Sequence, residues 1–246
     1  MQLPGTPSDE IADVLATGRG DITTLFVSLA TRHPDGTDAD YLRWHTLDHR
    51  PEQHRLSAVR ASLRLVSTPA CRAARAVTHD PHDAIDHVMT YFFTDPGGME
   101  GFLALAKALI GAKRKLPLLP PVERGVYAVQ RKSAAPRVKV GADVLPWWPV
   151  KGVYLLLERG EAPADPLLAV DGVAGVWSAT SLDVDAKLAS AQGGQTITYC
   201  FLDDDPVATA ERLRPALAAR WEQGGEPLLA APFHLVVPYE WDRYVP

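Results

Sequence analysis

The sequence has few of the features that mark several large protein classes. Among its 246 residues there are two cysteines, Cys71 and Cys200, which is too few for a disulfide framework. No apolar run approaches the roughly 18 residues of a membrane-spanning helix. The formal net charge is −5 and no run of lysine and arginine is long enough to follow a phosphate backbone. We therefore expect a reduced, soluble, cytoplasmic protein that binds neither nucleic acid nor membranes.

Other familiar sequence signals are also missing. The amino-terminal residues have no basic segment followed by an apolar core, so no secretion signal is predicted. The chain contains no P-loop, no G-x-G-x-x-G after a strand, no G-x-S-x-G and no C-x-x-C. Nucleotide-dependent chemistry and serine hydrolysis are therefore not expected. The composition, 46 % hydrophobic and 22 % charged, is that of a globular protein.

What the chain does contain is an internal repeat. Residues 88–95 read VMTYFFTD and residues 196–203 read TITYCFLD, so T-Y-x-F-x-D recurs at an offset of 108 (198 minus 90). Each copy is followed by an Asp-Pro helix start, since aspartate caps a helix and proline suits its first position. A Pro-Leu-Leu triplet and a short apolar strand follow in both halves. Four elements in the same order at similar offsets indicate a duplicated unit.

Each half reads strand, helix, strand, strand, helix, strand, which is the order of a ferredoxin-like unit. In the first half these elements are predicted at roughly 22–32, 38–49, 59–67, 86–93, 96–114 and 123–131. Such a sheet carries helices on one face, and its other face must be buried. The second copy is the obvious cover. The fold class is therefore predicted as α+β: two tandem ferredoxin-like units forming an intramolecular pseudo-dimer of the dimeric α/β-barrel kind.

The two units are predicted to differ in length. We place an amino-terminal extension at 1–20, the first unit at 21–132, a linker at 133–151 and the second unit at 152–246. Trp147 and Trp148 are expected to pack at the junction. The second unit is about twenty residues shorter between its first and third strands, and the loss falls on its first helix. A homodimer of such chains is possible.

A histidine-rich stretch occupies that first helix in the first unit. Residues 41–56 read YLRWHTLDHRPEQHRL and hold three of the eight histidines. Pro51 disfavours a helical Arg50, so the helix is expected to end or kink near His49. His45 and His49 share a helical face, but a catalytic zinc needs a third protein ligand, so no metal is predicted. Two readings stay open: histidines that are solvated or cap the helix end, and histidines that do acid/base work.

Trp44, His49 and the turn at 56–59 resemble the EthD-like group of dimeric α/β-barrel proteins. The family usually has Pro-Gly in that turn, where this chain has Ser57-Ala58. The resemblance implies two units that close a barrel around an apolar cavity. It also implies cofactor-independent oxygenase, cyclase or isomerase chemistry on aromatic or polyketide-like compounds.

On this resemblance the site is expected to contain one acid/base histidine and an aromatic lining, with no cofactor. His49 is the preferred catalytic residue and His45 the second. The residues expected to contact a small apolar or aromatic ligand are Trp44, Tyr41, Tyr91 and Tyr199. The last two are the tyrosines of the repeat, which line the cavity if their face of the sheet does and are core residues if that face packs on the helices. One cavity, beside the first helix, is expected to be open, and its pseudo-symmetric mate smaller or filled.

Two other functions are compatible with the same sequence. One is a binding protein that shelters a small compound without chemistry. The other is a haem protein of the chlorite-dismutase-like type, which places its haem-ligating histidine in the second half, where this chain has His234 in a predicted strand. The arginine-rich run from Arg60 to Arg75 is interpreted as a half-exposed strand rather than an anion site.

Overall fold

A computed structural model describes residues 21–114, 118–160, 162–185 and 189–244, so the predicted extension at 1–20 lies outside the described residues. In chain order the strands and helices of these residues are β1 (Thr24–Ala30), α1 (Asp38–Trp44), α2 (Arg50–Gln53), β2 (Val59–Val66), α3 (Pro69–Ala73), β3 (Val77–Thr78), β4 (His87–Phe93), α4 (Gly98–Gly111), β5 (Pro121–Ala134), β6 (Gly152–Arg159), α5 (Asp165–Leu168), β7 (Val173–Ser181), β8 (Gln195–Leu202), α6 (Pro206–Gln223) and β9 (Glu226–Leu235). No helix in this part of the chain is both long and apolar enough to cross a membrane.

The strands form one closed antiparallel sheet. The first unit has the order β5-β1-β4-β2 and the second β9-β6-β8-β7, which is the same order in both. β5 pairs with β7, and β9 pairs with β2, so the two units join at both edges and close a barrel. Antiparallel sheets of this order with helices on one face confirm the predicted α+β, duplicated ferredoxin-like fold.

The structural repeat differs from the sequence repeat by one residue. Phe93 pairs with Val59 and Leu202 pairs with Val173, each beside a bulge, so the equivalent positions are 109 apart (202 minus 93). The counterpart of Tyr199 is therefore Thr90 rather than Tyr91. A shift of one residue turns a side chain to the other face of a sheet. Tyr91 accordingly packs toward the helices, whereas Tyr199 points into the barrel.

The barrel interior is filled by side chains. Phe92, Trp177, Tyr199 and Phe201 pack there edge-to-face or stacked, with ring centroids 5.7–6.4 Å apart. The Tyr199 hydroxyl lies 2.6 Å from Oγ1 of its counterpart Thr90. Aromatic residues of both units thus meet in the interior, where the resemblance placed an apolar cavity. The cavity that contains the histidines lies on the outer face.

Of the two outcomes expected from Pro51, an end or an irregularity near His49, the helix shows the second: it continues past His49 through a distorted segment. A π-helical segment, His45–His49, joins α1 to α2, and the Arg50 amide donates to the His45 carbonyl. Proline has no amide proton to donate, and a π segment lets the backbone bypass the bond that is lost. The helix then continues, with the His54 amide 3.1 Å from the Arg50 carbonyl.

The units differ as the sequence predicts. The first helix of the second unit, α5, has four residues. Between the units, Trp148 packs partly buried against the barrel core, whereas Trp147 is exposed and its indole donates to the Arg60 carbonyl at 3.2 Å. The outer face of the first unit's sheet is thus covered by the histidine-rich helix, residues 38–53, together with α4. The candidate site lies beneath these two helices.

Candidate functional site

A cavity of about 160 Å³ lies between the outer face of the first unit's sheet and the helices α1 and α4. Its walls are largely apolar, and its polar residues come from the histidine-rich helix and from β1, β2, β4 and β5. The apolar members of the lining include Phe26, Met89, Phe102, Leu103 and Leu119. An engineered apolar cavity of about 150 Å³ holds a benzene ring, so this space suits one small aromatic ring.

His45 is held inside this cavity as a neutral group. It is 4 % exposed, and its Nε2 lies 3.5 Å from the Tyr91 hydroxyl. Burial lowers the pKa of His45 well below its usual value, and the positive charge of Arg64 lowers it further. Its Nδ1 is buried and has no hydrogen-bond partner among the described residues. His45 can therefore accept a proton or a hydrogen bond from a ligand at neutral pH.

His49 lies one turn further along the same wall. Its ring stacks on Trp44 with centroids 5.0 Å apart and lies 5.5 Å from the ring of His45. The Gln53 amide nitrogen lies 3.4 Å from His49 Nε2. Trp44 is itself fixed by its indole N–H, which donates to the Arg114 carbonyl at 2.9 Å. The predicted tryptophan therefore supports the imidazole from the side instead of lining the cavity.

Tyr91 supplies a hydroxyl opposite the histidines. Its ring packs edge-to-face on Phe102 with centroids 4.8 Å apart. Burial raises the pKa of Tyr91, so its phenol stays protonated and acts as a hydrogen-bond donor. Two imidazoles and one phenol thus converge on an apolar space, which is an arrangement that can move a proton to and from a ligand.

Four of the six predicted site residues line this cavity: Tyr41, His45, His49 and Tyr91. Tyr199 does not, because it points into the barrel on the other side of the sheet, and it is dropped from the candidate site. His54, the third histidine of the stretch, is exposed and lies 2.7 Å from the Ser62 hydroxyl. It is thus separate from the cavity.

The sequence interpretation missed Arg64. This residue lines the cavity and is 3 % exposed, although its neighbour on the same strand, Arg60, is exposed as predicted. Its guanidinium carbon lies 5.0 Å from the centre of the Tyr41 ring. Arginine is seldom buried without a partner, so a strand arginine is read as exposed by default. The available signal was its position between Leu63 and Leu65 in the most apolar part of the strand.

Arg64 belongs to a buried series of hydrogen-bonded side chains that continues through His87 to Asp38. Arg64 Nη2 lies 3.3 Å from His87 Nδ1, and His87 Nε2 lies 2.5 Å from Asp38 Oδ1. Burial lowers the pKa of His87 to about 4, despite the opposing effect of Asp38. His87 is therefore neutral, donating through Nε2 to the carboxylate and accepting through Nδ1 from the guanidinium.

We expect these buried histidines to make folding stability depend on pH. Because the pKa of His87 falls from 6.5 to about 4 on folding, the unfolded chain binds more protons below pH 6.5. The free energy of unfolding should fall as pH drops from 6.5 toward 4, by up to about 1.4 kcal/mol per pH unit for each such histidine. His87→Gln should flatten this dependence in urea unfolding, whereas exposed His79→Gln should not. Parallel curves for wild type and His87→Gln would contradict the assignment.

The equivalent space in the second unit is filled. Ser28 pairs with Met89 in the first unit, and Leu156 pairs with Thr198, the counterpart of Met89, in the second. Ser28 therefore corresponds to Leu156. Leu156 is fully buried. Two residues further along the strand, on the same face, Ala30 of the first unit corresponds to Glu158 of the second. The second unit does have a cleft of about 160 Å³, but its lining is polar, with Gln130, Ser178, Thr180, Thr196 and Arg220. The apolar cavity with histidines is thus a feature of the first unit.

Candidate ligands for a metal ion do not cluster in the described part of the chain, and the histidine considered for a haem lies on a strand. Within the described residues, no three histidine, cysteine, aspartate or glutamate side chains lie close enough together to hold a metal ion. In the second unit, His234 lies on β9, while Leu213 and Leu217 of α6 pack in one buried cluster with Tyr154 of β6.

Comparison with known structures agrees with the fold. The chain is similar to a dye-decolorizing peroxidase from Bacteroides thetaiotaomicron VPI-5482, with a TM-score of 0.50 and 9 % identity over 91 % of this chain and 94 % of that one. It is also similar to an anthrone oxidase-like protein (TM-score 0.44, 13 % identity, 88 % and 92 % covered) and to a chlorite dismutase variant from Candidatus Nitrospira defluvii (0.44, 10 %, 91 % and 93 %). No family model matches, and neither does any curated protein. At these identities the likeness is one of fold.

Proposed function

We propose that this chain is a cofactor-independent enzyme, of the EthD-like kind, that acts on a small apolar or aromatic carbonyl compound in the first unit's cavity. The observation that supports this most is the convergence of His45, His49 and Tyr91 on one apolar space of the size of an aromatic ring. The chemistry proposed for this cavity begins with one step. A base removes a proton from carbon next to a carbonyl group or from a phenol.

The roles follow from the chemistry of the groups. His49 is the proposed base, and its stacking on Trp44 fixes the plane of the imidazole. Tyr91, protonated because burial raises its pKa, donates a hydrogen bond to the oxygen on which negative charge develops. The protonated His49 then returns the proton to the product, while His45, neutral and 3.5 Å from the Tyr91 hydroxyl, orients that hydroxyl. The largely apolar lining lowers the local dielectric constant, which strengthens each of these interactions.

Hydrogen exchange in D₂O tests this proposal without knowledge of the natural substrate. The probe is 2-indanone, an aromatic ketone with acidic α-protons. NMR is expected to show loss of its α-proton signal faster with protein than in buffer, in the presence of a metal chelator. Exchange at the buffer rate, for this probe and for a panel of aromatic ketones, would contradict an enzyme of this class.

A non-catalytic binding protein is the second candidate, and one observation favours it. Burial lowers the pKa of His45, so one of the two histidines in the cavity is a poor proton acceptor and serves better as a hydrogen-bonding group for a bound ligand. Binding of 2-indanone, measured by calorimetry, without accelerated exchange would support this alternative.

Filling the cavity tests where the ligand binds. Leu156 occupies in the second unit the position that Ser28 has in the first, so Ser28→Leu gives the first unit the same residue. We expect the affinity for 2-indanone to fall by more than about tenfold, because the added isobutyl group occupies space that a ligand would otherwise fill. Calorimetry measures the affinity, and circular dichroism checks the fold. The matched control is Thr180→Leu in the polar cleft of the second unit. Unchanged affinity in Ser28→Leu, or loss in Thr180→Leu, would place the site elsewhere.

A further inference from the structure

The charged side chains that line the cavity are of one sign. Arg64 and Arg124 line it, and none of the described residues that line it is acidic. Arg50 is close enough for its charge to interact with that of Arg64. A ligand that enters this cavity therefore meets positive charge inside an apolar wall, where electrostatic interactions are stronger than in water.

Arg64 is incompletely paired by its own surroundings. It is 3 % exposed, and its Nε has no hydrogen-bond partner among the described residues. Its partner His87 is neutral, so this contact satisfies one N–H group but supplies no opposite charge. A buried charge is costly unless it is paired.

The nearest carboxylate does not reach the guanidinium of Arg64 directly. Asp38 lies behind His87, at 2.5 Å from its Nε2. The same carboxylate accepts from the His33 amide at 3.3 Å and lies 4.0 Å from Arg32 Nη1. Its charge is thus shared among three partners, and the cavity side of Arg64 is left for another anion.

We infer that the cavity binds a small aromatic carboxylate whose carboxyl group pairs with Arg64. A guanidinium offers parallel N–H donors that match a carboxylate, and such charge-assisted pairs are among the strong hydrogen bonds. The aromatic ring would then occupy the space between Phe26, Met89 and Phe102. The inference shares with the proposed function only the cavity in which the ligand binds. It adds that the substrate is a carboxylic acid.

Calorimetry with two matched probes tests this. Benzoate and benzamide have nearly the same shape and differ in charge. At neutral pH we expect benzoate to bind wild type at least about tenfold more tightly than benzamide, since a charge-assisted pair replaces a neutral one. Arg64→Met should abolish this preference while leaving benzamide affinity within a few-fold. Arg60→Met, which removes the same charge from the same strand outside the cavity, should keep the preference.

Several outcomes would overturn the inference. These are equal affinity of the two probes for wild type, no binding of either at millimolar concentration, and a preference that survives in folded Arg64→Met. Loss of the preference in Arg124→Met but not in Arg64→Met would also overturn it. If Arg64→Met does not fold, Arg64→Lys retains the charge and is expected to show a reduced preference for benzoate. A benzoate preference without exchange of 2-indanone would refute the proposed chemistry and leave this inference standing.

Discussion

His49→Ala is expected to lower the rate of α-proton exchange by about a hundredfold or more, which is the usual effect of losing a positioned acid/base group. The residue is 7 % exposed and lines the cavity within 5.5 Å of His45, so its loss removes the base and leaves the rest of the lining in place. Because its ring also stacks on Trp44, the variant should lose some stability through packing. NMR of the 2-indanone α-protons in D₂O gives the rate, and urea unfolding gives the stability.

His54→Ala is the matched control for that experiment. It removes a histidine from the same stretch, but one that is exposed and bonded to Ser62 instead of facing the cavity. Its exchange rate should equal that of wild type. His45→Gln should also lose activity, because it breaks the contact with Tyr91. Equal rates in His49→Ala and wild type would remove His49 from the mechanism, and a loss in His54→Ala would point to a different site.

The fold was predictable because its elements carry local patterns. Strands rich in β-branched and aromatic residues, and helix starts marked by Asp95 and Asp205, occur in the same order twice, so the element order followed without knowledge of any contact. Asp205 does cap α6, accepting from the amides of Val207 and Ala208. Each sheet has one face that its own helices leave uncovered, and the sheet of the other unit is the surface in the same chain that can bury it.

Which face of the sheet holds the cavity could not be predicted. Every residue of β4 and of β8 is buried, since helices cover one face and the other unit covers the opposite one. Alternation of apolar and polar residues, the usual indicator of a strand's orientation, is therefore absent. The T-Y-x-F-x-D similarity then suggested equivalence of Tyr91 and Tyr199, and a register error of one residue reverses the face. This is why Tyr199 was assigned to a site on the other side of the sheet.

The histidine site was partly predictable for a simpler reason. His45 and His49 are four residues apart, and this spacing places them on one side even in a π segment. The continuation of the helix through Pro51 was not predictable, because proline normally breaks the bond ladder and only the tertiary structure compensates for it. Arg64 was missed because the polar chain that holds it, through His87 to Asp38, links three segments far apart in sequence.

The second unit contains a buried ion pair at a position where the first unit has an open cavity, and this pair contributes to stability. Where the first unit has Ala30 and an open cavity, the second has Glu158, which is 1 % exposed. Its carboxylate accepts from Arg220 Nε at 3.0 Å, from Arg220 Nη2 at 2.6 Å and from the Trp221 indole at 2.9 Å. Arg220 is itself 1 % exposed. The second unit thus fills this position with a fully desolvated ion pair, and each partner depends on the other for its charge to be balanced.

Glu158→Gln is therefore expected to destabilise the fold by about 3–5 kcal/mol, because it leaves the Arg220 cation buried without a counter-charge while keeping the size of the side chain. Urea unfolding measures the change. Glu211→Gln is the matched control in the same helix as Arg220: its partner Arg214 lies 2.8 Å away, but both side chains are exposed, and water replaces the lost contact with little measurable change. A double variant, Glu158→Leu with Arg220→Met, should recover most of the loss, because an apolar pair requires no charge balance. Equal stability of Glu158→Gln and wild type would show that Arg220 is balanced by the Ala162 carbonyl, which accepts from its Nη1 at 2.7 Å, and not by the carboxylate.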